Sequence, residues 1–319
     1  SICENVSSAK NVLESEDVKS TILCLKKLGV KIVKKNPGNY LIYGKGLGSL
    51  YAKKNTELNF GNSGTLARLL VGILSTTPNV EVKIKGDKSL NNRSMKKLID
   101  LMSEFGAFFI PKNRFKFPLK LISSEIPIGV KYKAGVSAQL KSAVILAGLN
   151  SFGTTEIIEK DKSRDHTENM LIQNSKVIKI FNGLKKLIKI NGKRNLSPIK
   201  INVPGDPSSA AFFTALTLIN KNSKLKIKNV GLNPTRIGFY KILKKHGAKI
   251  RFTNIKKENN ELRGDIFVES SKLKPLTANK SFYVNSTDEY PILFVIAALT
   301  DGTSVFSGIK DLANKESNR

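Results

Sequence analysis

The sequence predicts a mixed α/β fold built from a repeated unit. Three observations carry that prediction: a small-residue helix that recurs along the chain, an arginine that follows each copy at a similar interval, and a second, amphipathic helix interleaved with the first. The recurring helix reads NSGTLARLLVGIL, SAQLKSAVILAGL, DPSSAAFFTALTLI and TDEYPILFVIAAL; Ser63 to Ser137 spans 74 residues and Ser137 to Ser208 spans 71. Arg93, Arg164, Arg236 and Arg319 are separated by 71, 72 and 83 residues. Self-similarity at one period marks a duplicated supersecondary unit.

The amphipathic helix appears first as SEDVKSTILCLKKLGVKI, ending on a glycine and running into a strand; RSMKKLIDLMSEFGAFF and TRIGFYKILKKHGAKI repeat it. Met95, Leu98, Ile99, Met102 and Phe105 follow the spacing of one buried stripe, and Gly106 stands where a left-handed C-cap is wanted. The copy expected between these two, HTENMLIQNSKVIKIF, lacks the glycine and reads as degraded. Each unit is therefore strand, helix, strand, helix and further strands, an α/β or α+β pattern.

Composition narrows the function classes. The 319 residues carry Lys+Arg 54 against Asp+Glu 25, a net charge of +29, which draws polyanions by counterion release. Only nine of the basic residues are arginines, however, and the lysines are spread through nearly every segment. Nucleic-acid readers concentrate arginine and aromatics on one face, so a solvated basic surface is the expectation, with no nucleic-acid partner. No apolar run reaches the roughly 18–20 residues of a membrane span. Cys3 and Cys24 are too few for a disulfide framework or a metal site, so they read as core thiols of a reduced, cytoplasmic protein.

Chemistry is expected at the openings of the small-residue helices. Ser, Thr, Gly and Asp there leave backbone N–H groups uncovered, and a helix N-terminus carries about half a positive charge. One arginine per unit, with forked donors suited to carboxylate or phosphate, makes the repeated set an anion trap where a single copy would be an ordinary cap.

The segments GNSGTLARLL, GDKSLNNRSM, GVSAQLKSAVILAGL, KSRDHTENML, VPGDPSSAAFF, GLNPTRIG, STDEYPILFVIAAL and NKESNR, in this order, resemble the enolpyruvyl transferase family in its 3-phosphoshikimate 1-carboxyvinyltransferase (EPSP synthase) branch. The resemblance implies a two-domain inside-out barrel of βαβαββ units whose helix N-termini converge on an interdomain cleft. It puts the first domain, with three units, at 1–204 and a partial second domain at 205–319, the chain crossing over near Val203–Asp206. Because the family has six units, the sequence is expected to be a piece of the enzyme lacking both ends and, by itself, to turn over little or no substrate. The implied reaction moves the enolpyruvyl group of phosphoenolpyruvate to the 5-hydroxyl of shikimate 3-phosphate, with no metal or organic cofactor, by a monomer.

Carried over by motif, Ser137, Ala138 and Gln139 of SAQ, Ser163 of SRDHT, Asp288 of STDEYP and Lys315 of KESNR are implied contacts to shikimate 3-phosphate. Gly64 of NSGT, Arg93 of NNRSM, Gln139 and Arg319 are implied contacts to phosphoenolpyruvate. Asp288 and Glu316 are the implied proton-transfer groups, although Asp288 also stands where a helix cap would. Asn318 departs from the family's acidic residue, which alters the charge around Lys315 and Arg319. His166 reads as a structural or loop residue, and His246 as a surface residue at a helix C-terminus. Three other readings compete: the sister transferase acting on UDP-N-acetylglucosamine, which uses a loop cysteine in a context that neither Cys3 nor Cys24 has; a basic nucleic-acid-binding protein; and a decayed, inactive relative.

Overall fold

A computed structural model describes residues 1–314. The chain divides into two compact units: Ser1–Asp161 with Met170–Val203, and Lys162–Asn169 with the chain from Pro204 onward. Each has its own hydrophobic core.

The first unit contains three four-stranded sheets of one pattern. In the second of these, β4 (Glu57–Asn59) leads through helix α2 (Gly64–Leu74) to β5 (Glu81–Lys85), then through the short α3 (Lys88–Asn92) and α4 (Lys96–Glu104) to β6 (Phe108–Ile110) and β7 (Leu119–Ile122). β4 lies parallel to β5, β5 antiparallel to β7 and β7 antiparallel to β6. The third sheet repeats this with β8 (Lys131–Ala134), α5 (Ala138–Leu149), β9 (Thr154–Glu159), α6 (His166–Leu171), β10 (Ile178–Phe181) and β11 (Lys186–Asn191). In the first sheet the chain supplies β1 (Glu4–Lys10), α1 (Glu16–Lys27), β2 (Lys31–Asn36) and β3 (Asn39–Lys45), and the parallel first strand is β12 (Lys200–Asn202), from the far end of the unit. That pairing closes the unit on itself, Ser8 to Ala9 lying against Lys200 to Ile201.

The sequence period becomes a packing register. α2 and α5 lie side by side and parallel, since residues about one period apart meet along their whole length: Gln139 reaches Thr65 at the start, and Thr76 Oγ1 donates to the Ala147 carbonyl at 3.0 Å near the end. In between, a Cβ on Gly72 would stand 2.6 Å from the Ala143 carbonyl oxygen, so only glycine permits this approach. Both helices are apolar nearly all round, as a buried helix must be: Ala67, Val71, Leu74, Ala143, Val144 and Ala147 are fully buried. The amphipathic helices pack from outside. All five residues of the α4 stripe are buried, and Gly29, Gly106 and Gly247 take positive φ after α1, α4 and α8 (Gly238–Lys245). α6, which lacks such a glycine, is six residues long.

In the second unit α7 (Pro207–Ile219) precedes β13 (Lys224–Gly231), and α8 precedes β14 (Lys249–Glu258) and β15 (Glu261–Glu269), in the sheet order β13-β15-β14. A parallel bridge from Gly205 to Val230 stands where the first strand of the pattern belongs. A further copy begins with β16 (Thr277–Ala278) and β17 (Val305–Phe306), parallel to each other, with α9 (Lys280–Ser286) and α10 (Tyr290–Ala298) between them in the chain. A 3-10 turn, Lys310–Asn314, ends the described residues. Tyr240, Phe239 and Tyr290 fill the core, while α7 exposes Phe212, Phe213 and Leu216.

Two expectations need correction. His246 is buried: its Nδ1 bonds the Ile242 carbonyl at 2.8 Å and its Nε2 accepts from the Thr277 amide at 3.0 Å, so the ring joins α8 to β16. The lysine surplus is not wholly a solvated surface either, because Lys141 lies buried on α5 with Nζ 2.9 Å from the buried Glu159, and Lys186 is buried 3.8 Å from the same carboxylate. Cys3 and Cys24 are core thiols, and burial pushes the Cys24 thiol up to about 11.

Candidate active site

In the first unit the parallel packing of α2 and α5 brings their N-termini together. Ser63 caps α2 by accepting from the Leu66 amide at 3.2 Å, and Ser137 caps α5 by accepting from the Leu140 amide at 3.4 Å. Each cap holds one of the exposed amides of its first turn, leaving others aimed outward. Gln139 Nε2 donates to Thr65 Oγ1 at 2.9 Å, tying the two turns to each other. Arg93, placed just beyond α3, donates from Nη2 to Asn62 Oδ1 and to Ser89 Oγ at 3.5 Å. A Cβ on Gly64 would stand 3.0 Å from Arg93 Nη1 and 2.8 Å from Arg68 Nη1, so the bare glycine leaves the two guanidinium groups against the helix start. Gly64, Arg93, Ser137, Ala138 and Gln139 thus form one cluster of positive helix ends and forked donors, which suits a phosphate or carboxylate.

In the second unit Arg164, which follows Ser163 in the chain, meets Asp288. Arg164 Nη2 stands 2.5 Å from Asp288 Oδ2, with side chains 27% and 38% exposed. Ser163 is buried. Asp288 is not the cap of α10; that position belongs to Glu289. The segment bearing Ser163 and Arg164 is fastened by a polar knot: Glu261 Oε1 accepts from Asn169 at 3.0 Å and meets His166 Nδ1 at 2.8 Å, while Asn233 Nδ2 bonds Glu261 Oε2 at 2.8 Å and Asp165 Oδ1 at 2.7 Å. Burial pushes the Glu261 carboxyl up, but His166, Asn169 and Asn233 outweigh it and hold the group below its ordinary value. His166 therefore fastens this segment in place.

Each described repeat arginine meets a side chain at the mouth of a small-residue helix. Arg93 meets Asn62, one residue before the α2 cap; Arg164 meets Asp288, one before the α10 cap; Arg236 meets Asp206, the α7 cap itself, at 2.7 Å. Burial would raise the Asp206 carboxyl, yet the Arg236 charge and the bonds from Ser209 and Ser208 hold it below its usual range. Sequence reasoning missed Asn62, Asp206, Glu261 and Glu289, although the repeat arginines pointed to the first two. Lys315, Glu316 and Arg319 lie outside the described residues. Among the described residues no group of three or more His, Cys, Asp or Glu could hold a metal ion, and no helix is long and apolar enough to cross a membrane.

A family model described as EPSP synthase (3-phosphoshikimate 1-carboxyvinyltransferase) matches residues 1–319. The 3-phosphoshikimate 1-carboxyvinyltransferase of Paramagnetospirillum magneticum is 38% identical over 311 residues, covering 97% of this chain and 69% of that protein. The protein of the same name from Bacillus cytotoxicus is 40% identical over 320 residues, covering 100% and 74%. A solved EPSP synthase from Acinetobacter baumannii superposes with a TM-score of 0.86 at 34% identity, over 100% of this chain and 71% of that one. The enolpyruvyl transferase NikO from Streptomyces tendae, at 14% identity and a TM-score of 0.66 over 95% of this chain and 69% of that one, shares the fold.

Proposed function

The chain belongs to the EPSP synthase (3-phosphoshikimate 1-carboxyvinyltransferase) family, and from that premise we propose that it transfers the enolpyruvyl group of phosphoenolpyruvate to the 5-hydroxyl of shikimate 3-phosphate. The products are 5-enolpyruvylshikimate 3-phosphate and phosphate, on the shikimate route to chorismate and the aromatic amino acids. The reaction protonates the methylene carbon of phosphoenolpyruvate, joins the 5-oxygen to the cation-like centre so formed as the hydroxyl gives up its proton, and then expels phosphate from the tetrahedral intermediate while the new methyl group loses a proton to restore the C=C bond. Two proton-transfer groups and several anion donors are needed.

The observation that carries this reading is the cluster at the α2 and α5 N-termini. The Gly64 backbone and Arg93 hold phosphoenolpyruvate, Ser137 and Ala138 hold shikimate 3-phosphate, and Gln139, bonded to Thr65, touches both. From the second unit, Ser163 contacts shikimate 3-phosphate, and Asp288 binds its ring hydroxyls and takes the 5-hydroxyl proton. Arg164, bonded to the Asp288 carboxylate, orients it toward the substrate. Glu316 is the second proton-transfer group, Lys315 reaches the shikimate phosphate, and Arg319 completes the phosphoenolpyruvate set. The protein acts as a monomer in the cytoplasm, a reducing compartment that suits two buried thiols.

Titration calorimetry on variants tests the assignment. Arg93→Ala and Gly64→Ala should weaken phosphoenolpyruvate binding about tenfold or more, measured with shikimate 3-phosphate present, since each removes or displaces a charge-assisted bond. Both should leave the affinity for shikimate 3-phosphate within about twofold. Ser137→Ala should do the reverse. Variants that lose both ligands equally, or neither, would contradict the division of roles.

A further inference from the structure

Two neighbouring carboxylates in the second unit are treated differently by the fold. Asp288 is exposed and reaches Arg164. Glu289, the cap residue of α10, is 2% exposed. Its Oε1 accepts from Ser208 Oγ, and its Oε2 is buried with no hydrogen-bond partner among the described residues. A buried carboxylate is costly to keep, so its surroundings must hold it for a reason.

Those surroundings form a continuous chain of polar groups. Ser208 Oγ also accepts from Arg236 Nη2 at 2.8 Å, and the same nitrogen donates to Asp206 Oδ1 at 2.7 Å. Asp206 Oδ2 in turn caps α7, accepting from the Ser209 amide at 2.9 Å. Glu289 therefore couples the start of α10 to the capped start of α7, with which it shares Ser208 and, through it, the repeat arginine. Burial pushes the Glu289 carboxyl up; the Ser208 bond and the Arg236 charge oppose this, the Asp288 charge adds to it, and Arg164 opposes it again. The proposed reaction makes no direct use of Glu289.

We propose that Glu289 is a positioning residue for Asp288: through Ser208 it locks the first turn of α10 to the α7 N-terminus and so fixes the backbone from which the Asp288 carboxylate projects. Consecutive Cα atoms are about 3.8 Å apart, so an immobile Glu289 leaves Asp288 little freedom beyond its own side-chain torsions. The peptide on either side is held as well: the Glu289 amide donates to the Ser286 carbonyl at 3.1 Å, and its carbonyl accepts from the Leu293 amide at 3.0 Å. Asp288 then meets Arg164 from a fixed point, and the accessible base is supported by the buried acid beside it.

The inference rests on Asp288 being the base proposed above, and a double-mutant cycle in the full-length enzyme separates the two ideas. Asp288→Asn should lower kcat/KM for shikimate 3-phosphate by about a hundredfold or more. Glu289→Gln, which keeps the volume and an acceptor for Ser208, should lower it about tenfold in the parent but less than about twofold in the Asp288→Asn background, because it acts only through Asp288. A general structural defect would instead give the same fold-loss in both backgrounds. Ser208→Ala, which removes the donor to Glu289 together with an acceptor of Arg236, carries the same test if Glu289→Gln does not fold, and thermal melting identifies that case. Losses that multiply independently, or a Glu289→Gln enzyme within about twofold of the parent, overturn the role of Glu289 alone. An active Asp288→Asn enzyme overturns the reading of Asp288, and with it the inference.

Discussion

Glu14 accepts hydrogen bonds from the Gly38 amide at 2.8 Å, from Lys34 at 2.7 Å and from Tyr40 at 2.8 Å, and these bonds, the Gly38 amide first, hold its carboxyl at about 2. Asp265 is held at about 2 in the second unit by the Asn229 amide, Asn254 and Lys226. A carboxyl depressed in the folded state stabilises it above the unfolded value, and that contribution is lost as pH falls through the folded value. Glu14→Gln and Asp265→Asn should therefore each melt below the parent near neutrality, with the gap closing as pH falls from about 5 toward about 2. Circular-dichroism melts across that range check it, and a gap independent of pH would contradict it. Single residues of this kind were hard to read in the sequence. Gly64, Arg93 and Gln139 stood out through motif and period, but the environment of His246 is made by Thr277, 31 residues on, and that of Glu289 by Ser208, 81 residues away. A helix-end histidine and a surface-looking Glu become buried only through such distant partners.

Among the elements, α2 and α5 carry most of the functional argument, and their parallel contact depends on a missing side chain. A Cβ on Gly72 would meet the Ala143 carbonyl oxygen at 2.6 Å and its Cα at 2.8 Å, and backbone atoms cannot swing aside. Gly72→Leu should cost about 1–3 kcal/mol by overpacking and should weaken shikimate 3-phosphate binding by parting the two N-termini. Phe212→Ala on the exposed face of α7 should stay within about 0.5 kcal/mol. Urea titration with a binding assay distinguishes them, and equal costs would mean that the close approach is unimportant. The repeated small-residue run made these helices legible, because one pattern written four times survives local noise. Their parallel register matches the 74-residue spacing of Ser63 and Ser137. The degraded α6 is the exception: without a capping glycine it stops after six residues, and the segment before it is held by Glu261 and Asn233.

At the scale of the molecule, three copies of one strand and helix pattern make the first unit, and β12 returning beside β1 closes it. The chain then repeats the pattern in the second unit with α7, β13, α8, β14 and β15. The order of elements was written in the period; the return of β12 was not, since a three-residue strand has no periodicity to read. Lys162–Asn169 belongs to the second unit, and side-chain bonds from Asp165, His166 and Asn169 to Asn233 and Glu261, which no local pattern encodes, tie it there. The proposed function makes the duplicated helix N-termini and their arginines the anion-binding surface. Backbone-amide NMR during titration with shikimate 3-phosphate tests it most directly. The amides of Ser137, Ala138 and Gln139 and those of Gly64 and Thr65 should shift together and saturate; shifts confined to the scattered lysine surface, or none in these two turns, would contradict that role.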